Sequence, residues 1–272
     1  MHLTTLMPDL NDDSLYRFHL AKPNWDGDSP LDALAKSDDS WLGWQTYCGD
    51  KERFVTEYIV SFAQISGNRY LFGGIFRIIS RNPTASPLDR YKVEYINKYT
   101  DLIGRLIIYF TGSNQRGTSF KPSYIFDNTT IHGIYESKYR GEKFISFENI
   151  NHSFDAIDVI VKNELADWKA ALSSVFGIYL LTDIATGKHY IGSAYGEYGI
   201  WGRWVNYIYS FHGNNMDLLE LFGEKGETYI KSNFKFTILE IIPPTKSSTE
   251  IIHKECLWKE KLMTRAFGFN KN

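Results

Sequence analysis

The sequence predicts an α+β protein in two parts: a β-rich, barrel-like domain over residues 1–151 and a smaller α/β domain over residues 152–272. Three observations carry this. Short alternating or apolar runs separated by turn residues recur between residues 54 and 148, the pattern of a barrel or sandwich. From Phe154, apolar residues fall three or four positions apart through Ile157, Val161, Leu165, Trp168 and Leu172, which predicts one helix beginning the second domain. The remaining residues then read as a hairpin, a helix, a third strand and a last helix.

At 272 residues, 43% hydrophobic and 16% aromatic, the chain has ample material for buried cores. Its two cysteines, Cys48 and Cys256, form neither a metal-ligand spacing nor a disulfide framework, as expected of a reducing, cytoplasmic setting. No apolar run reaches membrane-span length, so no membrane partner is expected. A net charge of −2 excludes a polycationic coat for nucleic acid, so any contact with DNA has to be concentrated on one face.

Within the first part, Ser29 before Pro30 caps a short helix in "SPLDALAKS", and Trp25, Trp41 and Trp44 are expected to anchor the irregular lead-in. "QISGNRYLFGGIFRII" reads as two strands about a Ser66-Gly67-Asn68 turn, with Gly73-Gly74 at a bulge or close approach. "FVTEYIVSF" fits helix and strand periods equally well. Further strands are expected at "RYKVEYINKY", "GRLIIYF", "IHGIYES" and "KFISFE".

The second part is richer in chemistry. "FGIYLLTDIATGKHYIG" is a hairpin with Tyr179 and Tyr190 on one face. A helix starting near Ile200 buries Ile200, Trp204 and Ile208, and places Arg203 and Tyr207 one turn apart. "HGNN" reads as a loop, and Pro243-Pro244 ends the third strand, "FKFTILEII". Ser247-Ser248-Thr249-Glu250 has capping-box spacing for a last helix. Its inward stripe, Ile251, Trp258 and Leu262, contains Glu255, an acid that needs either a bound divalent metal or an arginine partner.

Gly177-Ile178-Tyr179, Tyr190-Ile191-Gly192, then Arg203, Glu255 and Asn270 in this order resemble the GIY-YIG nuclease superfamily, over roughly residues 175–272. The resemblance implies a three-stranded antiparallel sheet with helices and the hydrolysis of DNA phosphodiesters with one divalent metal. Glu255 would hold that metal, Mg²⁺ or Mn²⁺, and Arg203 would clamp a phosphate oxygen with its fork of donors. Tyr179 would act as general base beside Tyr190. A phenol with pKa about 10 is ionised to only about a thousandth at neutral pH, so the arginine and the metal would have to favour the phenolate. Asn270 would order the site or cap the last turn, and Tyr207 stands where family members carry Tyr or His. His189, Lys188 and His212 form a second tier of candidates.

Within that resemblance the first domain is expected to read DNA, and the whole to be a restriction-type endonuclease. Its partner would be double-stranded DNA cut at a short recognised site or near a modified base, with a homodimer forming at least on DNA. The alternatives are a structure-specific repair nuclease and an inactive DNA-binding protein on the same fold.

Overall fold

The structure is a computed structural model that describes residues 1–24, 28–48, 52–113 and 118–271. The chain divides into two compact units, Met1–Arg140 and Gly141–Asn272. The division falls before the expected 151/152 boundary because the segment after Gly141 packs with the second unit: Trp168 Nε1 donates to Glu142 O at 2.8 Å, and Phe144 N donates to Asp167 Oδ2 at 2.8 Å.

Unit one contains α1 (Leu3–Leu6), β1 (Tyr16–Ala21), α2 (Pro30–Lys36), α3 (Asp38–Thr46), β2 (Tyr58–Ser66), β3 (Arg69–Arg81) and β4 (Tyr91–Ile96). These are followed by β5 (Leu106–Phe110), β6 (Ser119–Phe120), α4 (Pro122–Asp127) and β7 (Thr129–Ile134). One seven-stranded sheet runs β6-β1-β2-β3-β5-β7, with β4 on the distal half of β3. The β1/β2 pair is parallel and the others are antiparallel. The expected barrel does not close. β6 offers only the pairs Phe18↔Phe120 and His19↔Ser119, and among the described residues it does not reach β7, so the sheet stops as a curled half-barrel.

β2 is buried on both faces. Val60 and Phe62 enter one cluster beneath α1 and α4, while Ile59 and Ala63 enter another with Leu34 of α2 and Trp41 of α3. A strand covered on both sides carries no period of two, which is why "FVTEYIVSF" was ambiguous. Gly73 is the extra residue of the expected bulge, lying between the pairs Ser61↔Gly74 and Phe62↔Phe72. A Cβ there would sit 2.4 Å from the Trp41 ring, whose Nε1 donates to Gly73 O at 2.8 Å. Trp41 is thus the anchor expected of it, Trp44 packs at the edge of the same cluster, and Trp25 lies outside the described residues. Ser29 caps α2 by accepting from Asp32 N at 3.2 Å.

Unit two contains β8 (Asn151–Ser153), α5 (Phe154–Lys162), α6 (Ala166–Ser173), β9 (Phe176–Asp183), β10 (His189–Ala194) and α7 (Gly199–Ser210). Then come α8 (Met216–Asn233), β11 (Phe234–Ile242), α9 (Ser248–Lys261) and α10 (Thr264–Phe267). Its antiparallel sheet runs β10-β9-β11-β8, four strands where three were expected, because Asn151–Ser153 adds to the free edge of β11. "KFISFE" forms no strand and ends in a 3₁₀ turn at Phe147–Asn149.

The single helix expected over residues 154–172 is two, broken where Glu164 adopts a left-handed φ of 48°. The apolar stripe survives the break: Phe154, Ile157, Val161, Trp168 and Leu172 are all buried in the main cluster. α8 was not foreseen from the sequence. It begins at an Asn215 cap that accepts from Leu218 N at 2.9 Å, and Gly226 kinks it. Helices α5–α8 cover one sheet face. α9 covers the other through Ile251 against Ile178, Ile191 and Ile242, with Trp258 packed alongside. The Ser247–Glu250 capping box forms as expected, but Leu262 lies beyond the end of α9 and is exposed.

Candidate active site

The β9–β10 hairpin sets the site. The pairs Gly192↔Tyr179 and Tyr190↔Leu181 put Tyr179 and Tyr190 on the same face, diagonal to one another, with ring centroids 6.3 Å apart. Gly192 is the residue directly opposite Tyr179. A Cβ there would stand 2.2 Å from the Tyr179 hydroxyl, so the glycine is what lets that ring lie across β10. The hairpin end is fixed by buried Asp183, which accepts from Ala185 N, Thr186 Oγ1 and the Tyr229 hydroxyl of α8 at 3.0, 2.7 and 2.9 Å.

From α7, Arg203 and Tyr207 descend on Tyr179. Arg203 Nε donates to the Tyr179 hydroxyl at 3.0 Å, the Tyr179 and Tyr207 hydroxyls are 3.1 Å apart, and the Arg203 guanidinium lies 5.5 Å from the centroid of the Tyr207 ring. Tyr179 is 0% exposed and Tyr190 7%. Burial, with Tyr190 adding to it, pushes the Tyr179 phenol well above its ordinary range against the opposing pull of Arg203. Burial does the same to Tyr207. For Arg203 burial acts downward, but the surrounding phenols Tyr179 and Tyr207 outweigh it and its pKa ends raised.

A cleft of about 650 Å³ opens beyond the end of β10. Tyr190, Ser193, Arg203 and Glu255 line it, together with Glu197 and Asn206. The exposed rings of Tyr195 and Tyr198 belong to the same wall. Glu255 arrives from α9 on the opposite sheet face, where Ser193 Oγ donates to its Oε2 and Lys259 Nζ lies 2.7 Å from its Oε1. The partner of this inward acid is therefore a lysine one turn along, in place of the arginine considered from sequence. α9 itself is held to β11 by Glu240, which accepts from Trp258 Nε1 at 3.0 Å and pairs with Lys254.

Three of the expected residues, Tyr190, Arg203 and Glu255, thus meet in one cleft. Tyr179 and Tyr207 lie behind it as the support of Arg203. The general-base role expected of Tyr179 meets two physical obstacles here: its hydroxyl is enclosed, and burial opposes the phenolate.

Asn270, also buried, spends both ends of its amide on β10. Ile191 N donates to its Oδ1 at 2.8 Å, and its Nδ2 donates to Ile191 O at 2.9 Å. It orders the strand that carries Tyr190, and at 1% exposure it does not line the cleft. The second tier does not join the cleft. His189 Nδ1 lies 3.1 Å from Thr182 Oγ1, Lys188 lies over the Phe269 ring, and His212 Nδ1 accepts from Asn214 N. The sequence reading missed Ser193, Lys259 and the two rim tyrosines. Of these only Lys259 carried a signal, its i,i+4 spacing from Glu255.

The donor set suits a hard divalent ion bound by few protein ligands. Glu255 offers a carboxylate and Ser193 a hydroxyl, while among the described residues no group of three His, Cys, Asp or Glu side chains gathers into a cage. Mg²⁺ is habitually held by one or two carboxylates, with waters and substrate phosphate completing its shell.

No protein-family model matches the chain, and no curated protein does. Among solved structures, the chain is similar to a mutant of the catalytic domain of intron endonuclease I-TevI, at 25% identity over 36% of this chain and 94% of that one, with a TM-score of 0.30. A second structure, the catalytic domain of homing endonuclease I-TevI, is 27% identical over 35% of this chain and 96% of its own, with a TM-score of 0.28. At such scores neither likeness carries a functional argument, and what the site can do has to follow from its own residues.

Proposed function

We propose that unit two is a DNA nuclease domain that hydrolyses phosphodiester bonds with one divalent ion, and that the chain is a restriction-type endonuclease acting on double-stranded DNA. The observation that carries this reading is the meeting of Arg203, Tyr190 and Glu255 in a single open cleft. Such a cleft pairs an anion clamp with a carboxylate suited to a cation, the two charges that a scissile phosphate needs opposite it.

Arg203 has its Nε engaged by Tyr179, and among the described residues its two Nη groups have no hydrogen-bond partner, so they are free to hold phosphate oxygens. Glu255 would hold Mg²⁺ or Mn²⁺, which when bound supplies Lewis-acid stabilisation of the leaving oxygen and the non-bridging charge. Tyr190, the phenol that lines the cleft, would hydrogen-bond the attacking water or the phosphate. Tyr179 and Tyr207 keep the guanidinium in place from behind. In the reaction the water oxygen bonds to phosphorus and gives up a proton to solvent, the P–O3′ bond breaks, and the departing O3′ takes a proton from solvent. One water is thereby consumed, and no net proton is needed for a free 3′ hydroxyl and a 5′ phosphate in its acid form.

Unit one would supply recognition of a short site or a modified base, a role its half-barrel and aromatic content permit without specifying it. With one such cleft among the described residues of a chain, two chains would assemble on DNA to cut both strands. The test is purified protein with Mg²⁺ on a panel of modified and unmodified duplexes, nicked duplexes and flaps. Cleavage confined to duplexes carrying one site or one modification supports the restriction reading. Cleavage of flaps or nicks regardless of sequence replaces it with a repair nuclease, and no cleavage of any substrate ends the nuclease reading.

A further inference from the structure

The carboxylate in the cleft already has a cation. Lys259 lies four residues along α9 from Glu255, with its Nζ 2.7 Å from Glu255 Oε1; their side chains are 7% and 16% exposed. Lysines are seldom buried so deeply unless paired. In the other i,i+4 pairs among the described residues the lysine is more exposed, 27% in Lys231–Glu227 and 46% in Lys162–Asp158, where only the acid is buried. Lys246–Glu250, for example, is 46% and 50% exposed. Lys259 does not line the cleft. It reaches Glu255 from the covered side, while Ser193 holds the other carboxylate oxygen. Both oxygens are thereby engaged, and the negative charge is offset before any ligand arrives.

We propose that Lys259 is a positioning residue that acts through Glu255 as a built-in counter-cation. It fixes the carboxylate and keeps the affinity of the DNA-free cleft for a divalent ion low. The ion is then retained only together with a phosphodiester. The inference rests on the reading of Glu255 as the metal ligand. Its physical basis is Coulombic: a divalent ion drawn to Glu255 also meets the Lys259 ammonium, and the low exposure of that pair leaves little water to screen the repulsion, while on the open cleft wall the positive charge of Arg203 stands against the carboxylate of Glu197. A bound phosphodiester contributes the negative charge that tips this balance. The arrangement would couple metal loading to substrate binding and spare the empty enzyme a permanently armed site.

The sign of one substitution separates this role from simple support of the helix. Mn²⁺ binding to the full-length, DNA-free chain is measured by electron paramagnetic resonance for wild type, Lys259→Met, Lys259→Arg and Glu255→Gln. Removing the charge should tighten Mn²⁺ binding about tenfold or more, Lys259→Arg should stay near wild type, and Glu255→Gln should lose the site. A folded Lys259→Met that binds Mn²⁺ no more tightly than wild type overturns the proposal. If Lys259→Met does not fold, Lys259→Gln is held to the same criterion. Mn²⁺ binding that survives Glu255→Gln unchanged would instead remove the metal-ligand reading on which the inference stands.

Discussion

On one face of the β10-β9-β11-β8 sheet, the Arg203 guanidinium donates to the Tyr179 hydroxyl and lies over the Tyr207 ring, with the Tyr190 ring packed against both phenols. On the other face, Glu255 is held by an ammonium and a hydroxyl. The first face presents a cation to the cleft with no ion pair to Arg203 among the described residues, although Glu197 lines the same wall. The second delivers a carboxylate whose charge is partly offset. The contrast suits a site that first captures an anion and then completes itself with a metal.

The difference can be broken most sharply at its two ends. Arg203→Ala and Glu255→Ala should each reduce single-turnover cleavage by about 10²–10³-fold or more, the usual cost of removing a group that meets transition-state charge. A loss from only one of them would mean that the two faces do not serve one reaction.

Tyr179→Phe and Tyr190→Phe should then part company. The first leaves Arg203 Nε without its acceptor in a buried setting and should destabilise unit two by about 1–3 kcal/mol, read as a lowered urea midpoint. The second removes a hydroxyl at the cleft and should reduce cleavage with little change in stability. Gly192→Ala should lower stability by about 1–3 kcal/mol, because its methyl group would enter the space of the Tyr179 hydroxyl.

The pH dependence of stability sharpens the neutral face further. Tyr179 and Tyr207 keep their protons in the folded state more tightly than the unfolded chain does, where a phenol titrates near pH 10. The sign follows from the proton count. Their contribution is fully present below about pH 10 and declines above it, where the unfolded state releases protons that the folded state retains. Tyr179→Phe should flatten this alkaline decline in urea titrations between pH 9 and pH 11, on the order of the unfolded phenol's pKa. The smallest effect is expected at the rim: Tyr198→Ala, an exposed ring on the cleft wall, should raise KM a few-fold and leave the urea midpoint unchanged.

What the sequence made legible was local chemistry. The Ser247–Glu250 box, the Ser29 cap, the bulge at Gly73 and the shared face of Tyr179 and Tyr190 all follow from residue types at short spacing. Depth was not legible. Alternation assigns a side chain to a face but does not say how much is packed over it, so Tyr179 could be expected at the cleft and Leu262 in the core, when Tyr179 is fully buried and Leu262 is exposed. Nor could spacing reveal that Asn270 pairs with the backbone of Ile191, 79 residues away. The left-handed Glu164 splits a helix whose apolar stripe continues unbroken, and α8 is marked in the sequence by little more than its Asn215 cap. The barrel failed for a comparable reason: a two-residue edge strand cannot be counted in advance.

The central claim is that the cleft of Tyr190, Arg203 and Glu255 is where DNA is cut. Its most direct test is single-turnover cleavage in Mg²⁺ of a duplex that wild type cuts, comparing wild type with a folded, DNA-binding Glu255→Ala variant. The account predicts product from wild type and almost none from the variant at equal occupancy. Equal rates from the two proteins would contradict it.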